Sequence, residues 1–334
     1  MYKKVMYFPR TLNTGGIIKS RPEDFIVEEI TEKVYPVKYT LTQRIWDSLP
    51  KIKKKYLHFT MVKRNYDTYR AIRRIAKALH VSRKRFSYAG NKDKLAVTSQ
   101  RVSLYNGEIK QLKRLRLKDI ILKEFQYKDR PLHIGELNGN RFTIVVRNAK
   151  RIDIDDIRSL RVPNYFGEQR FGQNARIGEL IIKKKYKEAF QVLTNKKINK
   201  NMTVESTVIN EVKRGKTYKE ALMKTEMWRM FIHAYQSYIF NRTLERLIQM
   251  DYVPEKIPLV GKNTKLEGIV GEVIKNTMKD IKPTDIPEKG SLRETWMNIK
   301  WISIRYKGKD LHLKFELKKG QYATVLLSAI TGNL

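Results

Sequence analysis

An aspartate flanked by two lysines, Lys92-Asp93-Lys94, is the arrangement in this chain best suited to chemistry. It lies within the stretch Tyr88-Ala89-Gly90-Asn91-Lys92-Asp93-Lys94-Leu95-Ala96-Val97-Thr98-Ser99-Gln100. Two cations beside a carboxylate hold it ionised, and an ionised carboxylate serves as a nucleophile or a base. Neighbouring elements must present it. Gly90 and Asn91 tolerate positive φ, so the backbone is expected to reverse there with the carboxylate at its tip. Ala96 to Leu104 alternates and carries Val97, Thr98, Val102 and Leu104, which predicts a strand. The same residues also fit an ordinary surface turn with a solvated Lys-Asp-Lys triplet.

Composition narrows the chemistry. The 334 residues include 70 lysines and arginines against 34 acids, a net charge of +36. An excess of that size predicts a polyanionic partner, and nucleic acid is the natural one. With 41% hydrophobic residues the chain is globular, and its length suggests roughly two domains. No run approaches the roughly 20 apolar residues of a membrane span, and MYKKVMYFPR lacks the apolar core of a signal peptide. Without cysteine there is no disulfide, thiolate nucleophile or cysteine zinc site, which fits a reducing, cytoplasmic location. The histidines (His58, His80, His133, His233, His312) are too scattered to suggest a metal centre. The phosphate-cradling G-x-x-x-x-G-K and the dinucleotide G-x-G-x-x-G are both missing, which leaves little room for ATP or cofactor chemistry.

Along the chain, Phe25 to Ile30 alternates as a strand after the turn at Pro22 and Asp24. Residues 33–55 are strongly basic and read as an irregular, mobile loop. Leu57–Lys63 is a strand; then Asp67 or Thr68 caps a helix with Ile72, Ile75, Ala76 and Leu79 on one face. Strands are expected at Ile120–Phe125 and His133–Arg147, the second interrupted at Asn138-Gly139-Asn140. A short helix covers Ile154–Leu160. Asn164-Tyr165-Phe166-Gly167-Glu168-Gln169-Arg170-Phe171-Gly172 is a poor recipe for regular structure and a good one for a shaped loop where aromatic faces and polar tips converge. Helices are predicted at Ile177–Tyr186, Glu188–Thr194, Lys219–Met230 and Phe231–Met250, and short strands and loops over 251–290. Trp301–Tyr306 and Leu311–Leu317 form a hairpin across Lys307-Gly308-Lys309-Asp310.

Four regions carry a resemblance. AGNKDKLAVTSQ resembles the signature of the TruD family of pseudouridine synthases. PEDFIVEE, with Lys19 before it, is similar to that family's first motif, and NYFGEQRFG to its second hallmark. Gly320-Gln321-Tyr322-Ala323-Thr324 resembles its G-x-[FY]-A-T. AYQSYIFN (234–241) and PLVG (258–261) also look familial. The family often follows the last motif with Arg-Glu, where this chain has Leu327-Ser328, so no role is carried over to a C-terminal arginine.

The resemblance implies an α+β fold: a pseudouridine synthase catalytic domain with a mixed, largely antiparallel sheet (residues 1–174 and 291–334) and an inserted, mostly helical α/β TRUD domain (175–290). It implies isomerisation of uridine in tRNA, chiefly at tRNA position 13, some members accepting other RNAs. Asp93 would be the nucleophile, and Lys92 would keep it ionised or bind phosphate. Lys19 and Phe25 lie near the active site in the family. The target base must leave its stack; Phe166 would stack on it, with Tyr322 and Phe25 as further walls. Asn164 would hydrogen-bond the loop or the uracil edge. No cofactor, metal or obligatory protein partner is implied. Two rival readings remain: a catalytically silent RNA-binding or chaperone protein on this scaffold, and a metal-dependent nuclease using Asp153, Asp155 and Asp156, which more simply cap the following helix.

Overall fold

Alternation in Phe-Ile-Val-Glu-Glu-Ile makes the strand on which the sheet is built: β1 (Phe25–Ile30) turns Phe25, Val27 and Glu29 inward. In the computed structural model, residues 6–167, 171–195, 203–224 and 227–333 are described. They group into two compact units. One comprises Leu12–Leu160, Asn298–Ala323 and Leu327–Leu334; the other comprises Arg161–Met297, Thr324–Leu326 and the described part of Met1–Thr11. The second unit thus takes in residues 161–174 and 291–297 as well as the 175–290 segment.

The first unit holds an eight-stranded sheet. Its strands are β1, β2 (Tyr56–Arg64), β3 (Phe86–Tyr88), β4 (Val97–Tyr105), β5 (Ile120–Lys128), β6 (Gly139–Val146), β9 (Ile299–Lys307) and β10 (Asp310–Lys318). The order is β5-β2-β4-β1-β6-β10-β9, with β3 also on β4. Only β1 against β4 is parallel, in the register Val27 to Thr98; the other pairings are antiparallel. The sheet is therefore mixed and largely antiparallel, as expected.

Helix α2 (Thr68–Ala78) is capped by Asp67, whose carboxylate accepts from the Arg70 N–H at 2.8 Å. It packs Ala71, Ile72 and Ile75 against Leu57, Phe59 and Met61 of β2. The interrupted strand over 133–147 is not found: β6 begins at Gly139. A Cβ there would lie 2.2 Å from the Leu317 carbonyl oxygen, so the glycine lets two strands close rather than breaking one. Residues 33–55 are not wholly irregular either. Thr40 and Gln43 form a capping box that starts α1 (Leu41–Ser48), and the buried Asp47 carboxylate accepts from the Glu124 and Phe125 N–H groups, each at 2.8 Å. Asp153 caps α4 (Ile154–Arg158), and Asp155 pairs with Arg158. Short helix α3 (Ile109–Arg114) leads into β5. The closing helix α11 (Ala323–Thr331) ends with the Ala329, Ile330 and Thr331 carbonyls accepting from Leu12, Thr14 and Gly15.

The second unit is mostly helical. It contains α5 (Gln173–Ile182), α6 (Tyr186–Thr194), α7 (Thr203–Lys213), α8 (Tyr218–Met223), α9 (Met227–Gln249) and α10 (Gly268–Met278), with the two-stranded β7 (Lys256–Leu259) and β8 (Ser291–Glu294). Ile177, Leu180 and Ile181 of α5 meet Phe231, Ile232, Tyr235 and Ile239 of α9 in one core. Gly178 allows that approach, since a Cβ would fall 2.0 Å from the Phe231 carbonyl oxygen. Helix α7 and helix α10, the latter in a region expected to be strands and loops, were not predicted. No helix among the described residues is long and apolar enough to cross a membrane.

Candidate active site

The loop between β3 and β4 presents Asp93, and its shape comes from buried side chains beneath it. Neither Gly90 nor Asn91 has positive φ. Instead the Gln100 amide donates to the Gly90 carbonyl at 2.9 Å, and the Thr68 hydroxyl accepts from the Lys92 N–H at 3.0 Å while donating to Gln100 at 2.9 Å. Beyond them, the wholly buried Lys63 ammonium donates to the carbonyls of Tyr66, Asp93 and Lys92 at 2.5, 2.9 and 3.3 Å. Burial brings the Lys63 pKa down to about 8, against the attraction of Asp67 and Asp93. At the other end of the loop the Ala89 carbonyl accepts from the Gly135 N–H at 2.7 Å.

Lys19 supplies the cation at Asp93. Its ammonium lies 2.9 Å from Asp93 Oδ2, and 4.3 Å from the centre of the Phe25 ring beneath it. Phe25 is otherwise buried, edge-on to Phe142 at 6.2 Å. The Asp93 side chain keeps 35% of its surface exposed, so the carboxylate remains reachable. Lys19 itself has φ +56°, the left-handed region, which costs a non-glycine residue roughly 1–3 kcal/mol. Such strain is common where a side chain must be aimed.

Lys92 does not do what its place in the sequence suggested. Its ammonium turns inward to Glu29 Oε2 at 2.7 Å, and both side chains are buried. Glu29 Oε1 accepts from the Arg101 N–H at 2.9 Å. Lys92 therefore anchors the loop to β1, and the lysine on the Asp93 carboxylate lies 74 positions away in the sequence.

The segment joining Lys19 to β1 is pinned by Asp24. This buried carboxylate accepts from Arg147 and Arg21, and Arg147 also reaches Asp310 at 2.6 Å. Burial alone would push the Asp24 carboxyl up, but the bonds from Arg147 and Arg21 outweigh it and hold it below the ordinary value. The unfolded chain, titrating near about 3.9, then takes up the proton first. The stabilisation is complete above that pH and is lost as the pH falls through the folded value. Asp24→Asn is accordingly expected to lower the melting temperature at pH 7, with the gap to wild type narrowing in melts below about pH 4.

In the second unit Asn164, Tyr165 and Phe166 form one constellation. Tyr165 is fully buried, edge-on to Phe8, with its hydroxyl on the Tyr7 carbonyl at 2.9 Å. Phe166 is held by its backbone: its N–H and carbonyl both bond the Asn241 side chain, at 2.9 and 3.0 Å. Its ring meets the edge of Phe240 at 5.5 Å, and the Arg293 guanidinium lies 4.0 Å over it. The Asn164 amide donates to the Glu294 carbonyl at 2.9 Å and accepts from Arg293 at 2.8 Å, so both of these bonds run to β8 and tie the loop to that strand. Glu168, Gln169 and Arg170 of this motif lie outside the described residues. Tyr322, half-buried, is the cap residue before α11 in the first unit.

Sequence reading thus finds Lys19, Phe25 and Asp93 together, and Asn164 with Phe166. It missed Lys63, Thr68, Gln100, Glu29, Asn241 and Arg293. Glu29, Gln100 and Asn241 lie inside the quoted motifs without a role having been read for them, and Glu29 carried a further signal as an acid on the inward parity of β1.

The crystal structure of a TruD protein from Methanosarcina mazei superposes with a TM-score of 0.67 at 24% identity, covering 98% of this chain and 96% of that one, so the fold is shared. The sequence matches the family described as tRNA pseudouridine synthase D (TruD) over residues 3–199, 192–258 and 251–330. It is 34% identical to the "Probable tRNA pseudouridine synthase D 1" of Methanocaldococcus jannaschii, covering 94% of this chain and 95% of that protein. It is 30% identical to the "Probable tRNA pseudouridine synthase D" of Methanococcus vannielii, over 98% of each. The chain belongs to the TruD family.

Proposed function

We propose that this protein isomerises uridine to pseudouridine in tRNA, at tRNA position 13, with Asp93 as nucleophile and the target uridine turned out of its stack. The observation that carries the reading is the setting of Asp93: a reachable carboxylate, paired with Lys19 at 2.9 Å, on a loop clamped from below by buried side chains. Aiming of this kind is what covalent catalysis requires. The N1–C1′ bond breaks, the base rotates, and C5 joins C1′; the C5 proton is released and N1 takes one up, so the atoms balance. Attack on C1′ and removal of the C2′ proton both begin from the same carboxylate. Lys19 orients that carboxylate, and Phe25 supports the Lys19 ammonium. A net charge of +36 favours a folded RNA held by its backbone and shape.

Phe166 is the ring on which the extruded base stacks, with Asn164 and Arg293 shaping its loop. Tyr165 and Phe166 are both buried, but the Tyr165 hydroxyl is also bonded to the Tyr7 carbonyl, which favours Phe166 for that role. Phe166→Leu keeps most of the volume and loses the aromatic face. It is expected to slow single-turnover conversion by about 5- to 150-fold, the equivalent of a base–aromatic stack of roughly 1–3 kcal/mol. The reading as a whole is tested by tritium release from a tRNA transcript labelled at uridine C5, without added metal or nucleotide. Release by wild type supports isomerisation. Tight binding without release supports a silent RNA-binding protein instead.

A further inference from the structure

We propose that Lys63 is a positioning residue for this reaction: its buried ammonium holds the peptide carbonyls on both sides of the Asp93 Cα and so sets the direction of the carboxylate. The inference rests on the reading of Asp93 as nucleophile.

Lys63 sits near the end of β2, paired with Thr98 of β4 on one side and Ile120 of β5 on the other. Alternation along β2 would place a hydrophobic residue there, after Phe59 and Met61. The chain spends a wholly buried cation instead. An ammonium has three N–H donors, and Lys63 matches them to three carbonyls, those of Tyr66, Asp93 and Lys92. The last two belong to the peptide planes that meet at Asp93. Because each peptide unit is planar, fixing both carbonyls fixes the two dihedrals between them and therefore the Cα–Cβ direction. The Tyr66 carbonyl ties the same ammonium to the turn before α2, so the loop is referenced to the sheet and to that helix. Lys19 holds the carboxylate from its exposed side, while Lys63 holds the backbone below it.

A buried cation hydrogen-bonded only to carbonyls is a poor device for stability, since burial penalises the charge and the attraction of Asp67 and Asp93 offsets only part of it. The charged groups facing it are Asp67 at the α2 cap and Asp93 and Lys92 on the loop; Thr98 and Ile120 beside it carry none. Its proton is lost near pH 8 rather than near 10.5. Deprotonation leaves two N–H groups for three carbonyls, so conversion should slow above about pH 8. Stability moves the other way. The folded value lies below the unfolded one, so the unfolded chain binds more protons between them and the Lys63 contribution to stability rises with pH across that window. A merely structural lysine would not make the rate fall while its own contribution to stability rises.

The test is single-turnover pseudouridine formation on a tRNA transcript from pH 7 to 9.5, with tRNA binding measured alongside, for wild type, Lys63→Met, Lys63→Gln and Asp93→Asn. The expected result is a loss of about 100-fold for Lys63→Met at pH 7, the scale of a small misplacement of a reacting group. Its tRNA affinity should be unchanged, and the wild-type decline above pH 8 should vanish. Lys63→Gln should recover part of the rate and also lack the decline. A Lys63→Met protein as fast as wild type would overturn the inference, as would parallel loss of binding or a persisting decline. If Lys63→Met gives no cooperative melt, Lys63→Gln decides by the same two readouts. Wild-type activity in Asp93→Asn would mean instead that the nucleophile reading itself had failed.

Discussion

Asp93→Asn is expected to abolish pseudouridine formation while leaving the fold and RNA binding intact. The amide has nearly the shape of the carboxylate but no charge, so it neither attacks C1′ nor accepts a proton. Removal of a nucleophile from an assembled site costs on the order of 10⁴-fold or more in other covalent enzymes. Stability should scarcely change. The carboxylate is about one-third exposed, and its pairing with Lys19 at 2.9 Å is worth about 0–1 kcal/mol at such a site. Comparing single-turnover rates with melting temperatures separates the two effects. A variant with wild-type rate would remove Asp93 from the chemistry, whereas a large fall in melting temperature would give it a structural role.

The second large effect concerns the neighbouring residue and has the opposite character. Lys92→Met should damage stability first. It leaves the Glu29 carboxylate buried with the Arg101 N–H as its remaining bond in this network. Breaking a buried pair from one side costs about 3–5 kcal/mol, because the surviving charge is uncompensated. In a chain of 334 residues that corresponds to a melting temperature lower by roughly 4–7 °C. Adding Glu29→Gln removes the stranded charge but keeps an acceptor for Arg101, so the double variant should regain most of the loss. Had Lys92 served RNA phosphate or the Asp93 carboxylate, its replacement would weaken binding or rate at unchanged stability, and Glu29→Gln would rescue nothing.

The contrast between Asp93 and Lys92 shows what a sequence discloses. Motif and alternation were enough to find Asp93, its loop, β1, and the hairpin of β9 and β10, because each depends on neighbours within a few residues. They also place Lys19 and Phe25 near the site through the family's first motif. Which lysine faces the carboxylate was not legible. A loop residue has no parity, and Lys92 turns inward only because Glu29, 63 positions away, waits there. Composition made Lys92 and Lys94 look like the partners; three-dimensional register chose Lys19. The clamp from Lys63 is hidden for the same reason, since its acceptors are backbone atoms with no signature in side-chain type.

Local signals were also overlooked. Thr40 and Gln43 spell a capping box within a run that basic composition made look irregular. Gly139 was read as an interruption, when its lack of a side chain is what lets β6 approach β10. Helix α10 opens with Gly268 and holds another glycine, so its propensity is weak. Burial of Val273, Ile274 and Met278 accounts for it instead.

Asp93 is proposed to carry out isomerisation of a tRNA uridine. The most direct test is carbodiimide primer-extension mapping of an unmodified tRNA transcript after incubation with wild type and with Asp93→Asn. A new stop marking position 13 with wild type, and none with Asp93→Asn, is the result this account predicts. Equal modification by both proteins would contradict it, and so would no modification by wild type of tRNAs that it demonstrably binds.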